Sequence, residues 1–192
     1  METLTKVIEK VSEEEYLRLE ELAEFKSEYH AGEIVAMAGA QRNHNIIVAN
    51  IIAALVVCLE DKKCVVYPSD MLLKLPECEK YVYPDITISC EEEEEVDVRK
   101  GLDVLLNPTI LIEVTSKTTG SFDKIEKLRC YLMLNSLKEY WLVDSEKTEI
   151  MSYKRTLNDD WLMHNSADIN EKITIGECEI LLRNIYKKTS LV

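Results

Sequence analysis

The chain has 192 residues, 46% of them hydrophobic, which is enough for one sizeable core and too short for two independent domains, so a single domain spanning 1–192 is expected. Its formal net charge of −13 and isoelectric point near 4.8 weigh against a polyanionic partner, because phosphate binding ordinarily rests on a basic footprint. No apolar run reaches the ~20 residues of a membrane helix and the opening METLTKVIEKVSEEE lacks the apolar core of a signal peptide, so the expectation is a cytoplasmic protein with no membrane partner.

In chain order, Ser12 followed by Glu15 is a capping-box signature, and Tyr16, Leu19, Leu22 and Ala23 give the spacing of a helix ending near Phe25. Glu28-Tyr29-His30, an Ala31-Gly32 turn and Glu33 to Met37 read as a hairpin whose second strand opens on Glu33. From Gln41 to Glu60, Ile47, Val48, Ile51, Ile52, Leu55 and Leu59 recur at three and four residues, which predicts a long helix with His44 in its first turn. Cys64 to Tyr67 and Met71 to Leu75 read as strands around a Pro68-Ser69 break, with Asp70 opening the second. In Tyr83-Pro84-Asp85-Ile86-Thr87-Ile88, Pro84 sits where a strand begins without costing a ladder bond, and Asp85 follows it. The acidic run Glu91 to Glu95 reads as solvated surface.

The stretch from Leu111 to Tyr131 organises the rest. Ile110, Leu111, Ile112 and Val114 predict a strand buried on both faces, interrupted by Glu113. A carboxylate there must be paired, protonated or bound to a cation, unless it reaches solvent at the strand end. After a hydroxyl-rich loop with Lys117, Ser121 caps a helix running to about Asn135, on which Asp123, Lys127 and Tyr131 follow at i, i+4 and i+8. Beyond it come a strand over Glu139 to Asp144, a hairpin over Ile150 to Tyr153 and Trp161 to Met163, and a short closing helix over Ile180 to Tyr186. The six cysteines show no CxxC or zinc-like spacing and read as reduced, packed thiols.

Carboxylates that open or interrupt apolar strands are therefore Glu33, Asp70, Asp85 and Glu113, with Lys127 near the last. Asp85 and Glu113, 28 residues apart, fall on strands expected to be neighbours. Two carboxylates and a lysine suit a Mg²⁺ or Mn²⁺ site acting on a phosphodiester. For Asp85 the alternative is a carboxylate bonding the turn after Pro84. For Lys127 it is an i,i+4 pair with Asp123, and for His44 a satisfied polar residue at a helix start. No GxSxG elbow accompanies Ser116, which sets serine hydrolysis aside.

The order Pro84-Asp85, Glu113-Val114-x-Ser116, Asp123-x-x-x-Lys127-x-x-x-Tyr131 and Glu139-Tyr140-Trp141-Leu142-Val143-Asp144 resembles the Uma-two family, grouped with restriction-endonuclease-like proteins of the PD-(D/E)XK nuclease superfamily. Gly32-Glu33, His44 and the Asp70 strand extend the likeness over about residues 12 to 185. The resemblance implies an α/β (α+β) fold, a mixed central sheet flanked by helices, with Mg²⁺ or Mn²⁺ on Asp85 and Glu113. It also implies Glu33 as a further acidic group, Asp70 facing the same cleft, a nucleic-acid substrate, DNA by the likeness, and homodimerisation. The superfamily's lysine two residues after the glutamate is Thr115 here, and Lys127 is the matching candidate, with Lys117 as a local substitute. The competing class is a nuclease-fold protein without catalysis, acting as a protein-binding module.

Overall fold

The computed structural model describes residues 10–37, 39–94, 102–115 and 121–192, without the side chains of 121–124. Helix α1 spans Glu13–Leu22, and Ser12 caps it by accepting the Glu15 N–H at 3.2 Å. Its inward residues, Tyr16 and Glu20, tie it to the next strand. Tyr16 donates its hydroxyl to Ser27 O at 2.6 Å, and buried Glu20 accepts from Ser27 and from Tyr83.

Strands β1 (Ser27–His30) and β2 (Glu33–Ala36) form the first hairpin, turned by Ala31 and Gly32, both at positive φ. They join β5 (Lys80–Val82), β4 (Leu72–Leu75) and β7 (Val104–Leu105) in a five-stranded sheet ordered β2-β1-β5-β4-β7. The second sheet has six strands, in the order β11-β10-β9-β8-β6-β3. These are β3 (Val65–Pro68), β6 (Ile86–Ser89), β8 (Ile110–Thr115), β9 (Glu139–Asp144), β10 (Ile150–Arg155) and β11 (Trp161–Ser166). It is mixed: β8 and β9 run parallel, while β6 is antiparallel to β8.

Helices cover both faces of this six-stranded sheet, because β8 is apolar on both. Helix α2 (Arg42–Cys58) buries Ile47, Ile51 and Leu55 against Ile86, Ile88, Ile110, Ile112 and Val114. Helix α3 (Ser121–Leu132), the crossover between β8 and β9, packs Cys130 and Tyr131 against Leu111 and Tyr140. Each such fully buried aliphatic side chain contributes about 1.5–3 kcal/mol. The last carbonyls of α3 and its following turn are bonded by Arg155, whose guanidinium donates to Leu132 O, Leu134 O and Leu137 O.

Three expectations are corrected. Tyr83-Pro84-Asp85 is not the start of one strand but the corner where the chain leaves β5 in one sheet and enters β6 in the other, and Pro84, with no N–H, fits such a break in the ladder. The closing helix expected over Ile180 to Tyr186 is present but shorter, and a hairpin precedes it. Strands β12 (Lys172–Ile175) and β13 (Cys178–Leu181) pair around Gly176 at φ +57°, and only α4 (Leu182–Ile185) is helical. Inward residues alternating at a period of two, Ile173 and Ile175 then Cys178 and Ile180, favour strands up to Leu181, past the Ile180 start expected of the helix. Nor are the cysteines free thiols: Cys58–Cys178, Cys64–Cys90 and Cys78–Cys130 are disulfides, joining positions 120, 26 and 52 residues apart. Such separations carry no local spacing signal. Among the described residues no helix is long and apolar enough to cross a membrane.

Candidate functional site

Register sets the first two groups side by side. Ile86, the first residue of β6, pairs with Ile112, which leaves Asp85 just beyond the ladder and beside Glu113 and Val114 of β8. Asp85 sits at the sheet corner, where its Oδ2 accepts the Val114 N–H at 2.7 Å. Its Oδ1 lies 3.1 Å from His44 Nε2, and His44 Nδ1 donates to Val114 O at 3.0 Å. His44 is held there by the first turn of α2. Burial alone would lower its pKa, but the hydrogen bond and charge of Asp85, with the Val114 carbonyl, raise it above the ordinary value.

Glu113 points to the opposite face, toward α3. Tyr131 donates its hydroxyl to Glu113 Oε1 at 2.7 Å, and Lys127 Nζ stands 3.0 Å from the same oxygen. One helical turn separates Lys127 from Tyr131, so a single face of α3 delivers both. Oε2 has no hydrogen-bond partner among the described residues. Burial raises the Glu113 carboxyl, Lys127 opposes the rise, and the nearby Asp85 charge adds to it, leaving the group at about 6. Lys127 also reaches Glu28 Oε1 at 3.1 Å, and its ammonium is held well above its usual range between the two carboxylates, against the effect of burial.

Glu28 is the residue that sequence reasoning missed. It lies on β1, 14% exposed, with its Oε2 3.0 Å from His30 Nε2. Burial pushes its carboxyl up, but the His30 hydrogen bond and the Lys127 charge more than offset this and carry it down to about 2. The available signal was alternation: Glu28 and His30 share one face of β1, next to apolar Tyr29 on the other.

Glu33, which opens an apolar strand, is exposed on β2 at the sheet's edge, opposite His30 in register, and among the described residues it makes no hydrogen bond or ion pair with Asp85 or Glu113. Asp70 is likewise set apart: its side chain is 80% exposed and pairs with Lys26 at 2.6 Å. Both positions lie where the backbone turns toward solvent. Lys117 and the side chain of Asp123 lie outside the described residues.

A cleft of about 870 Å³ on the α2 side reaches Asp85, and its wall includes His44, Val114 and Ser145 together with Phe25, Lys26 and Met37. Glu113 and Lys127 keep 11% and 21% of their side chains exposed but are not part of that wall. Among the described residues no group of three His, Cys, Asp or Glu side chains is placed to hold a metal. A closed transition-metal cage is therefore not offered by them. Two carboxylates suit a hard cation that keeps most of its waters, and the mutual repulsion of Asp85 and Glu113 is what a cation would relieve.

This electrostatics has a pH consequence. The folded-state pKa of Glu113 lies above 4.5, so its contribution to stability is complete below about 4.5 and lost as pH rises through about 6. His44, also raised, contributes fully below 6.5 and loses that contribution at higher pH. Glu28, depressed to about 2, is constant across this window. In the presence of a chelator the melting temperature should rise by several degrees from pH 7.5 to 5.5, and Glu113→Gln should flatten the profile; a flat wild-type profile would contradict the burial argument.

The family profile described as "Uma2: Putative restriction endonuclease" matches residues 13–178. "Uncharacterized protein sll1609" of Synechocystis sp. (strain ATCC 27184 / PCC 6803 / Kazusa) is 34% identical over 166 residues, covering 86% of this chain and 93% of its own. "Uncharacterized protein slr1290" of the same strain is 32% identical over 169 residues, 87% of each. A crystal structure described as a "putative nuclease belonging to DUF820" from Anabaena variabilis ATCC 29413 superposes with a TM-score of 0.71 at 16% identity, over 90% of this chain and 96% of that one, a likeness of fold. With the profile spanning most of its length and two relatives above 30% identity, the chain belongs to the Uma2 family.

Proposed function

We propose that this protein is a metal-dependent endonuclease that hydrolyses phosphodiester bonds in nucleic acid, with Mg²⁺ or Mn²⁺ held by Asp85 and Glu113. The observation that carries the reading is the Asp85, Glu113 and Lys127 cluster at the junction of two sheets, whose Asp85 lies on a cleft and is the one acid of its described lining. That lining matters in a chain of net charge −13, because a wall of carboxylates would repel a phosphodiester. The family and fold likenesses agree with a nuclease. When bound, such a cation polarises the phosphodiester and lowers the pKa of water.

The chain's own residues supply orientation and charge. Val114 N–H and His44 fix the Asp85 carboxylate, while Tyr131 and Lys127 fix one oxygen of Glu113 and the other has no partner among the described residues. Lys127, anchored by Glu28 and Glu113, is a fixed cation able to orient the attacking water and to offset charge building on the phosphate. We place Lys127 in the role that the superfamily assigns to a lysine beside the glutamate. His30 would act on Lys127 through Glu28, as a positioning residue.

A second reading, a nuclease-fold protein without catalysis, draws on the fact that both Asp85 oxygens already have internal partners. Cleavage of plasmid and single-stranded DNA with Mg²⁺ or Mn²⁺ at low salt separates the two. Glu113→Gln should lower the rate by about 10²–10³-fold or more. No cleavage by the wild type with either metal, together with no metal-induced thermal shift, would favour the binding-module reading.

A further inference from the structure

The walls of the cleft bear on what kind of nucleic acid enters it. Phe25 lies between α1 and β1 with 83% of its surface exposed, unusual for a phenylalanine, and it lines the cleft. Met37 and the apolar α2 residues Val48 and Ile52 line the same cleft. The carboxamides of Gln41 and Asn45, also on the wall, have no hydrogen-bond partner among the described residues. Charge is nearly absent. Of the described lining residues only Lys26, His44 and Asp85 are ionisable, and each is engaged: Lys26 with Asp70 at 2.6 Å, and His44 with Asp85 at 3.1 Å.

Duplex binding depends on cations that neutralise phosphates, commonly six to ten of them, and loses about 10³–10⁵ in affinity between 50 and 200 mM salt as a result. The described lining holds no uncommitted cation and so contributes nothing to that footprint. What it does supply is an exposed aromatic ring, apolar walls and amide groups without a partner among the described residues, the means by which proteins contact bases presented outside a stack. In a duplex those base faces are covered by their neighbours. A volume of about 870 Å³ falls in the ~300–1,000 Å³ range of sites that enclose a small ligand, so it accommodates a short unpaired stretch rather than a helix.

We infer that the substrate of this site is single-stranded or locally unpaired nucleic acid, with Phe25 stacking on a base at the wall of the cleft. The inference rests on the hydrolytic reading of the same site but is tested without hydrolysis. In EDTA, fluorescence anisotropy with a labelled 12-nucleotide DNA strand and its duplex, at 50 and 200 mM salt, compares the wild type with Phe25→Ala and Phe25→Trp.

The strand is expected to bind at least tenfold tighter than the duplex and to lose less than about tenfold with salt. Phe25→Ala should weaken it about 5- to 100-fold, Phe25→Trp should retain it, and neither should shift the melting temperature, since the ring is exposed. Equal or tighter duplex binding, a steep salt dependence, or an unaffected Phe25→Ala would overturn the inference. So would no binding of either form, which would leave the apolar wall to a protein contact. Strand binding as expected but no cleavage with Mg²⁺ or Mn²⁺ would sink the hydrolytic reading alone. Duplex cleavage as fast as that of the strand, unchanged by Phe25→Ala, would sink the strand preference and leave hydrolysis standing.

Discussion

Lys127→Met is expected to cost about 3–5 kcal/mol of stability, the penalty for leaving buried charge without its partner. Its ammonium stands 3.0 Å from Glu113 Oε1 and 3.1 Å from Glu28 Oε1, and all three side chains are at most 21% exposed. A surface ion pair would lose under about 1 kcal/mol. Removing the cation also raises both carboxyl pKa values, so the deficit should shrink at pH 5, where they can protonate, and widen toward pH 8. Adding Glu113→Gln to Lys127→Met should recover part of the loss, since one uncompensated charge is then gone. Urea denaturation of the four proteins of this cycle measures the coupling. A loss below 1 kcal/mol, independent of pH, would mean that the lysine is solvated and that the cluster lacks the rigidity the proposed chemistry needs.

Reduction of the disulfides should be of similar size. Cys58–Cys178 closes 120 residues, tying the end of α2 to β13, and the chain-entropy account gives about 5 kcal/mol for a loop of that length. Cys178 is fully buried in the core beneath α2, so the paired Cys58→Ala and Cys178→Ala variant also creates a small packing defect. Cys78–Cys130 closes 52 residues, worth about 4 kcal/mol in the same account, and it holds α3, the helix that carries Lys127 and Tyr131. Thermal melts with and without a phosphine reductant should therefore differ by 10 °C or more. Six titratable thiols in the native, untreated protein, with no effect of reductant on the melt, would refute the pairing.

The two effects act on the same helix from different directions. Lys80, 6% exposed in its side chain, pairs with Glu126 at 2.9 Å and gives α3 a further tie to β5. Helix, strand and disulfide thus converge on holding a cation over a carboxylate that burial would otherwise neutralise.

Local sequence was enough for the groups whose own strand or helix places them. Glu113 stood out because a charge inside Ile-Leu-Ile-x-Val cannot go unpartnered. Lys127 followed from helical spacing, since Tyr131 one turn on shares its face. Asp85 followed from the break in the ladder at Pro84, although the break proved to be a corner between two sheets rather than a strand start. Glu28 was not legible, because its neighbour across space, Lys127, is 99 residues away and its own strand is short and polar. Glu33 misled for the converse reason: an acid opening an apolar strand has the right local pattern, yet β2 is the sheet's edge and exposes it.

By itself, then, the sequence determined the helices, most strands and the acid in the central one, because periodicity and the cost of burying charge act within a few residues. Tertiary structure alone decided which carboxylate meets Lys127, which cysteines pair across as many as 120 residues, and which described residues line the cleft, because these depend on strand order and packing distances that no local pattern records.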